Sequence, residues 1–203
     1  MEAKIVRIIS YVFHPLLMPL YAFLLLFNMD AYFASVLTFY GKSVILIFVF
    51  LSTFVFPSVL TFILYKRKLI SSMHLENREE RNIPFIFTII FYYGAYYMLK
   101  NNGIPAIYLI LLLVSTLMVI LMFFINLKFK ISIHSMSVGA LNGLLIGVAY
   151  RFQLDLSLMI ISSILISGLV AYARLAMGAH RQSEIYSGFS IGFFGMILLF
   201  FFL

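Results

Sequence analysis

The chain has 203 residues, of which 64% are hydrophobic and only 10% are charged, and its mean hydropathy is +1.11. A soluble domain of this length cannot bury so much apolar surface, so the composition excludes that class of protein. The net charge of +7 fits loops that face anionic headgroups, and we expect membrane lipids and no nucleic acid as partners. The absence of cysteine excludes disulfides and thiol catalysis.

The apolar residues come in long blocks, and a block of about 20 residues crosses a bilayer as a helix. The short alternating segments of a transmembrane β-barrel are not visible. The sequence therefore predicts an all-α, polytopic transmembrane bundle with about six to seven spans, folded as a single integral membrane domain over residues 1–203. The seven predicted segments are Ile8–Asn28, Ser43–Tyr65, Ile83–Leu99, Ile104–Asn126, Ser132–Tyr150, Leu154–Tyr172 and Ile185–Leu203.

Prolines interrupt the first two segments. Pro15 and Pro19 lie in the first segment and Pro57 lies in the second. Because proline removes one backbone hydrogen bond and clashes with the preceding turn, we expect a kink or break in the first segment. His14 directly precedes Pro15, and we interpret it as part of the break, with a satisfied imidazole.

The fifth segment carries a stripe of small residues at four-residue spacing. Such a stripe lets another helix approach closely, so it indicates packing rather than chemistry. The residues of the stripe are Gly139, Gly143 and Gly147.

If all seven segments cross the membrane, the polar connections 66–82, 127–131 and 173–184 share one face. Most basic residues outside the spans lie on that face, and the positive-inside rule then places it in the cytoplasm. Six of those basic residues are also candidates for a catalytic or binding site. Without them, most of the excess of basic residues on this face disappears. We expect the protein in a bacterial-type cytoplasmic (inner) membrane.

The strongest cluster of polar residues follows the sixth segment. His180 and Glu184 are four residues apart, so they lie on one side of the last helix if Glu184 opens it. A carboxylate at this spacing accepts the proton of one imidazole nitrogen and leaves the other nitrogen as a base or nucleophile. Arg174 can bring a planar guanidinium to an anion.

Two further clusters complete the set of candidate residues. The start of the fifth segment offers ammonium, hydroxyl and imidazole groups together with the free N–H groups of a helix start, which favour anions. These side chains belong to Lys128, Lys130, Ser132 and His134. The third cluster precedes the third segment and contains Arg78 and Arg81.

The cluster around His180 resembles part of the signature of the type 2 phosphatidic acid phosphatases. That signature has three pieces: Lys-x6-Arg-Pro, Pro-Ser-Gly-His and Ser-Arg-x5-His-x3-Asp. The third piece matches in spacing without a gap, through Arg174, His180 and Glu184. Ala173 stands where the family has serine, and Glu184 stands where it has aspartate.

The other two pieces are less complete. The second appears as residues 131–134, where Ser132 and His134 are kept but Ile131 and Ile133 replace proline and glycine. Of the first piece only Arg81 is kept, because His74 stands in place of lysine and Asn82 in place of proline. The pieces follow the family's order, and the resemblance covers roughly residues 74–190.

The resemblance implies an integral membrane phosphatase or phosphotransferase that acts on a lipid or polyprenyl phosphate without a metal or other cofactor. His180 would attack phosphorus and form a phosphohistidine, with Glu184 orienting the ring. His134 would protonate the leaving oxygen and then activate water. The residues implied in phosphate binding are Arg81, Ser132 and Arg174, with Lys128, Lys130 or Arg78 replacing the missing lysine.

Several alternatives stay open. A degenerate relative would bind or move an anionic lipid without hydrolysing it. The pair of His180 and Glu184 is also compatible with an ordinary contact at a helix start, or with a metal site completed by His134. A small transporter is a further alternative, although the spans have few polar residues near their centres, with Asn142 the main exception.

Overall fold

The computed structural model describes residues 2–73, 75 and 77–202, and every regular element within these ranges is helical. The all-α prediction is therefore confirmed for the described chain. His74, compared above with the lysine of the family signature, and Leu203, the end of the seventh predicted segment, lie outside the described residues. The α-helices are α1 (Glu2–Val12), α2 (Met18–Phe27), α3 (Tyr32–Ser35), α4 (Phe39–Phe50), α5 (Phe56–Lys66), α6 (Asn82–Leu99), α7 (Ala106–Asn126), α8 (Ile133–Phe152), α9 (Ser157–Ala176) and α10 (Gln182–Phe202).

Six helical stretches in the described chain are long and apolar enough to cross a membrane, which identifies an integral membrane protein. They coincide with the first six predicted segments, and α10 coincides with the seventh. The side chains of residues 199–202, at the end of α10, lie outside the described set. The six stretches are Lys4–Phe27, Phe39–Lys66, Glu79–Leu99, Ala106–Asn126, Ile133–Phe152 and Ser157–Ala176.

The first span is broken where the prolines predicted. Helix α1 ends at Val12, His14 is extended, and a single 3₁₀ turn over Pro15–Leu17 leads into α2. The His14 Nδ1 atom accepts the backbone N–H of Leu16 at 3.3 Å. The imidazole thus caps the short turn, as expected of a satisfied histidine at a break.

The second span accommodates Pro57 without a break. A π-helical turn over Leu51–Val55 joins α4 to α5, and such single turns commonly occur where a helix must adjust its register. Because Pro57 has no N–H, the carbonyl of Thr53 loses its usual helical donor. The hydroxyl of Tyr92 on α6 lies 3.4 Å from that carbonyl and donates to it.

The chain divides into two compact units. We call Met1–Met18 together with Ile131–Leu203 the split unit, and Pro19–Lys130 the central unit. The split unit contains α1 and α8 to α10, and the central unit contains α2 to α7. The expectation of one domain over residues 1–203 stays a prediction.

Helices α8 and α10 pack with their backbones in close contact. A Cβ atom at Gly139 would collide with the carbonyl oxygen of Phe189, and one at Gly192 would collide with the carbonyl oxygen of Met136. At Gly143 the nearest atom, a backbone oxygen of α10, would lie only 2.5 Å away. The predicted packing role is thus confirmed for Gly139 and Gly143, and α10 contributes glycines of its own.

A polar network joins α8 to α9 within the split unit. The Asn142 amide donates to the Ser167 hydroxyl at 2.8 Å, and the Ser163 hydroxyl donates to the Asn142 Oδ1 atom at 2.9 Å. All three residues are buried, and each side chain has partners in the protein. We call these three residues the Asn142 network, and its satisfied hydrogen bonds are typical of interhelical contacts in membranes.

Candidate functional site

A glycine turn connects α9 to the strongest predicted cluster. Gly178 has φ +63°, a left-handed conformation that glycine adopts without strain. The next residue, Ala179, donates its N–H to the carbonyl of Arg174 at 3.2 Å and so closes the end of α9. This turn brings the chain from Arg174 in the last turn of α9 directly to His180.

His180 and Glu184 form the contact that their spacing predicted. The His180 Nδ1 atom lies 2.7 Å from the Glu184 Oε2 atom. Because a carboxylate accepts, Nδ1 carries the proton, and the lone pair of the neutral ring is on Nε2. Glu184 lies in the first turn of α10, where the helix dipole favours a negative charge.

The His180 ring is almost completely enclosed. Its side chain is 3% exposed, whereas that of Glu184 is 18% exposed. A phosphate group can therefore reach Nε2 only if neighbouring groups give way.

Ser132 joins two of the predicted clusters through its backbone. Its N–H donates to the carbonyl of Glu184 at 3.0 Å. Its hydroxyl caps α8 by accepting the N–H of Ser135 at 3.3 Å. Ser132 is 0% exposed, so its observed role is to fix the start of α8 beside the start of α10.

His134 lies one residue inside α8 and contacts the end of α1. Its Nε2 atom is 3.2 Å from the carbonyl oxygen of Ser10. A carbonyl only accepts, so Nε2 carries the proton in this contact and the lone pair of the neutral ring is on Nδ1. Ser10 lies in the last turn of α1, where helix carbonyls lack a partner within the helix.

Ser10 also contacts the end of α9. Its hydroxyl donates to the Met177 Sδ atom at 3.4 Å. One residue of α1 therefore contacts both His134 and the turn that precedes His180.

Arg174 has a buried donor without a partner. Its Nε atom makes no hydrogen bond within the described chain, although solvent does not reach it. The charge of Arg174 acts on His134, as do the charges that His14 and His180 acquire on protonation. A buried, unsatisfied N–H of a cation is costly unless a ligand or water accepts it.

His14 is a member of this group that the sequence analysis did not assign to a site. Its ring centroid lies 5.6 Å from that of His134, with the two planes at 83°. A histidine inside an otherwise apolar span was the signal that could have identified it. We call His14, His134, Arg174, His180 and Glu184 the histidine cluster.

The remaining candidates lie in the central unit. Arg81 is 5% exposed and donates from Nε to the carbonyl of Leu75 at 2.7 Å. Arg78 donates from Nη1 to the carbonyl of Lys128 at 2.6 Å, and the side chains of Lys128 and Lys130 are exposed. Their binding of a substrate phosphate stays a prediction.

One ring nitrogen of each motif histidine already has a specific partner. Nε2 of His134 bonds Ser10, and Nδ1 of His180 bonds Glu184. In the part of the chain that the structure describes, no three His, Asp or Glu side chains are grouped to hold a metal ion. The cationic Arg174 beside His134 suits an anion better than a metal ion.

Comparison of the chain with protein-family models, with curated proteins and with solved structures gives no match. The resemblance to the type 2 phosphatidic acid phosphatases therefore depends on the residues described above.

Proposed function

We propose that the protein is a membrane phosphatase or phosphotransferase that acts on a lipid or polyprenyl phosphate through a phosphohistidine on His180. The contact between His180 and Glu184, at 2.7 Å, carries this proposal because it puts the lone pair of a neutral ring on Nε2. Arg174, whose Nε atom has no partner among the residues that the structure describes, supplies the charge and a donor for the phosphate. A bacterial-type cytoplasmic membrane is the proposed location.

In the first step, His180 Nε2 attacks phosphorus and the bond to the lipid oxygen breaks. Glu184 holds the proton on Nδ1 and stabilises the positive charge that the ring acquires. Arg174 neutralises charge on the phosphoryl oxygens, which is the main requirement of phosphoryl transfer. Protonated His134 keeps its Nε2–H on Ser10 and donates from Nδ1 to the leaving oxygen.

In the second step, His134 Nδ1 takes a proton from water, and the water oxygen attacks phosphorus. The bond between phosphorus and His180 Nε2 breaks, and inorganic phosphate leaves. An alcohol in place of water would make the same site a phosphotransferase. The predicted contributions of Ser132, Arg78, Arg81, Lys128 and Lys130 to phosphate binding belong to the same proposal.

A second candidate function is the binding of an anionic lipid without hydrolysis. The 3% exposure of the His180 side chain favours it, because an enclosed nucleophile is poorly placed to meet a substrate. Ile133, where the related family has glycine, favours it as well, since a β-branched side chain obstructs the approach of a phosphate to the backbone.

The test is phosphate release by the purified, detergent-solubilised protein from a panel of lipid and polyprenyl phosphates, without added metal. We expect release by the wild type and a loss of at least about 1,000-fold in His180→Ala. Quenching with labelled substrate should trap an alkali-stable, acid-labile phosphoprotein in the wild type only. Binding of the same lipids without release, or equal release by the variant, would favour the second candidate.

A further inference from the structure

The break in the first span lies against the start of α8. Helix α1 ends at Val12, and the chain turns through His14 and the 3₁₀ turn Pro15–Leu17. Pro15 disfavours a helical conformation of the residue before it, and His14 is extended, which ends the helix here. The carbonyl of Ser10, in the last helical turn, accepts the Nε2–H of His134.

Two contacts from this break determine the placement of the His134 ring. Ser10 accepts the Nε2–H at 3.2 Å, which fixes the tautomer. The His14 ring packs edge-to-face against the His134 ring, with centroids 5.6 Å apart, which fixes the ring plane. Ser10 is itself held by its hydroxyl bond to Met177.

The orientation of His14 is likewise defined. Its Nδ1 atom accepts the Leu16 N–H at 3.3 Å, so the proton of the neutral ring is on Nε2. Since the cap holds the ring at one nitrogen, the edge-to-face contact with His134 does not depend on a freely rotating side chain.

We infer that the break at residues 10–17 is a positioning device for His134, and that His14 is its positioning residue. The break orients the His134 ring so that Nδ1 carries the acid–base proton. The kinetic part of this inference rests on the proposed phosphatase function. The geometric part does not, since the tautomer and ring orientation of His134 can be observed without any substrate.

Two substitutions of His14 separate the effect of its hydrogen bond to Leu16 from the effect of its ring contact with His134. His14→Asn keeps a side-chain acceptor for the Leu16 N–H but removes the imidazole ring. His14→Phe keeps an aromatic ring against His134 but removes the cap. Thr38→Ala is the matched control for loss of a cap alone, since Thr38 accepts the Gly41 N–H at 3.1 Å at the start of α4.

The experiment is ¹⁵N NMR of the histidine rings in the solubilised full chain, at an alkaline pH where the imidazoles are neutral. We expect His134 to show one tautomer, protonated on Nε2, in the wild type, in His14→Phe and in Thr38→Ala. In His14→Asn we expect a mixture of tautomers, because a His134 ring whose plane is no longer fixed by the His14 ring turns away from the Ser10 carbonyl. A single Nε2-protonated tautomer in His14→Asn would overturn the inference, and so would a tautomer mixture in the wild type.

Kinetics supply the second readout. We expect kcat for phosphate release to fall about 10- to 100-fold in His14→Asn, with KM unchanged and most of the rate retained in His14→Phe. An unchanged kcat in His14→Asn would contradict a positioning role. If the wild type releases no phosphate, the proposed function fails, and the ring tautomers still decide whether the break positions His134.

Discussion

The Asn142 network and the histidine cluster both lie in the split unit and both contain buried polar side chains. They differ in whether the hydrogen bonds of those side chains are satisfied within the described chain. In the Asn142 network the Asn142 side chain donates to Ser167 and accepts from Ser163. In the histidine cluster Arg174 has a buried Nε atom that finds no partner among the described residues. A polar group whose bonds are all made within the protein serves packing, whereas a buried cation with an unmade bond is a candidate for binding a ligand or water. This comparison distinguishes a structural polar group from a candidate site.

After His180→Ala, the largest expected effect is that of Arg174→Ala. If Arg174 binds the phosphoryl oxygens, its removal should lower kcat/KM for phosphate release about 100- to 1,000-fold, with little change in thermal stability. Arg151→Ala is the control, because Arg151 is an exposed arginine in the last turn of α8. A loss of stability in Arg174→Ala without a loss of rate would mean that Arg174, like Asn142, has only a structural role.

Glu184→Gln should have the next largest effect. The amide can still accept from Nδ1 of His180, but it lacks the charge that stabilises the ring during attack. We expect kcat to fall on the order of 100-fold, with less phosphohistidine trapped after quenching. Glu79→Gln, at an exposed position, should leave the rate unchanged. A full rate in Glu184→Gln would mean that the contact is only structural.

Asn142→Leu should affect stability and leave the chemistry intact. The substitution removes the hydrogen bonds to Ser163 and Ser167, and we expect a loss of about 1–2 kcal/mol in the free energy of unfolding. Thermal unfolding in detergent measures it, with Asn28→Leu as a control at an exposed position. A large loss of phosphate release at unchanged stability would show that the Asn142 network has a functional role.

Gly178→Ala should have the smallest effect. The left-handed backbone at φ +63° disfavours any side chain, so we expect a loss of about 1 kcal/mol in stability and a modest fall in rate. Gly168→Ala is the matched control, because a Cβ atom there meets nothing within 4 Å and alanine favours the helix. Equal stability of the two variants would contradict the role given to the turn.

Local periodicity explains what the sequence predicted well. Long apolar blocks correspond to the observed helices, and Pro15 marks the observed break. The contact of His180 with Glu184 follows from a spacing of four residues at a helix start. The glycine stripe predicted close packing of α8, although the partner helix could not be read from it.

Tertiary contacts explain what was missed. Ser132 was expected to bind phosphate, which stays a prediction, and its N–H bond to Glu184, 52 residues later in the chain, was not predicted. His14 was interpreted only as part of a helix break, because nothing in its neighbourhood in sequence points to His134. Such contacts between distant segments depend on how helices pack, and a single sequence has no local signal for them.

The bond from the Ser132 N–H to the Glu184 carbonyl has a consequence for the tolerance of the site to mutation. It joins the two motif segments through main-chain atoms, which every residue except proline provides. Substitutions of His134, His180 or Glu184 therefore leave the connection between the starts of α8 and α10 in place. This one main-chain connection therefore does not depend on which side chains would carry out the chemistry.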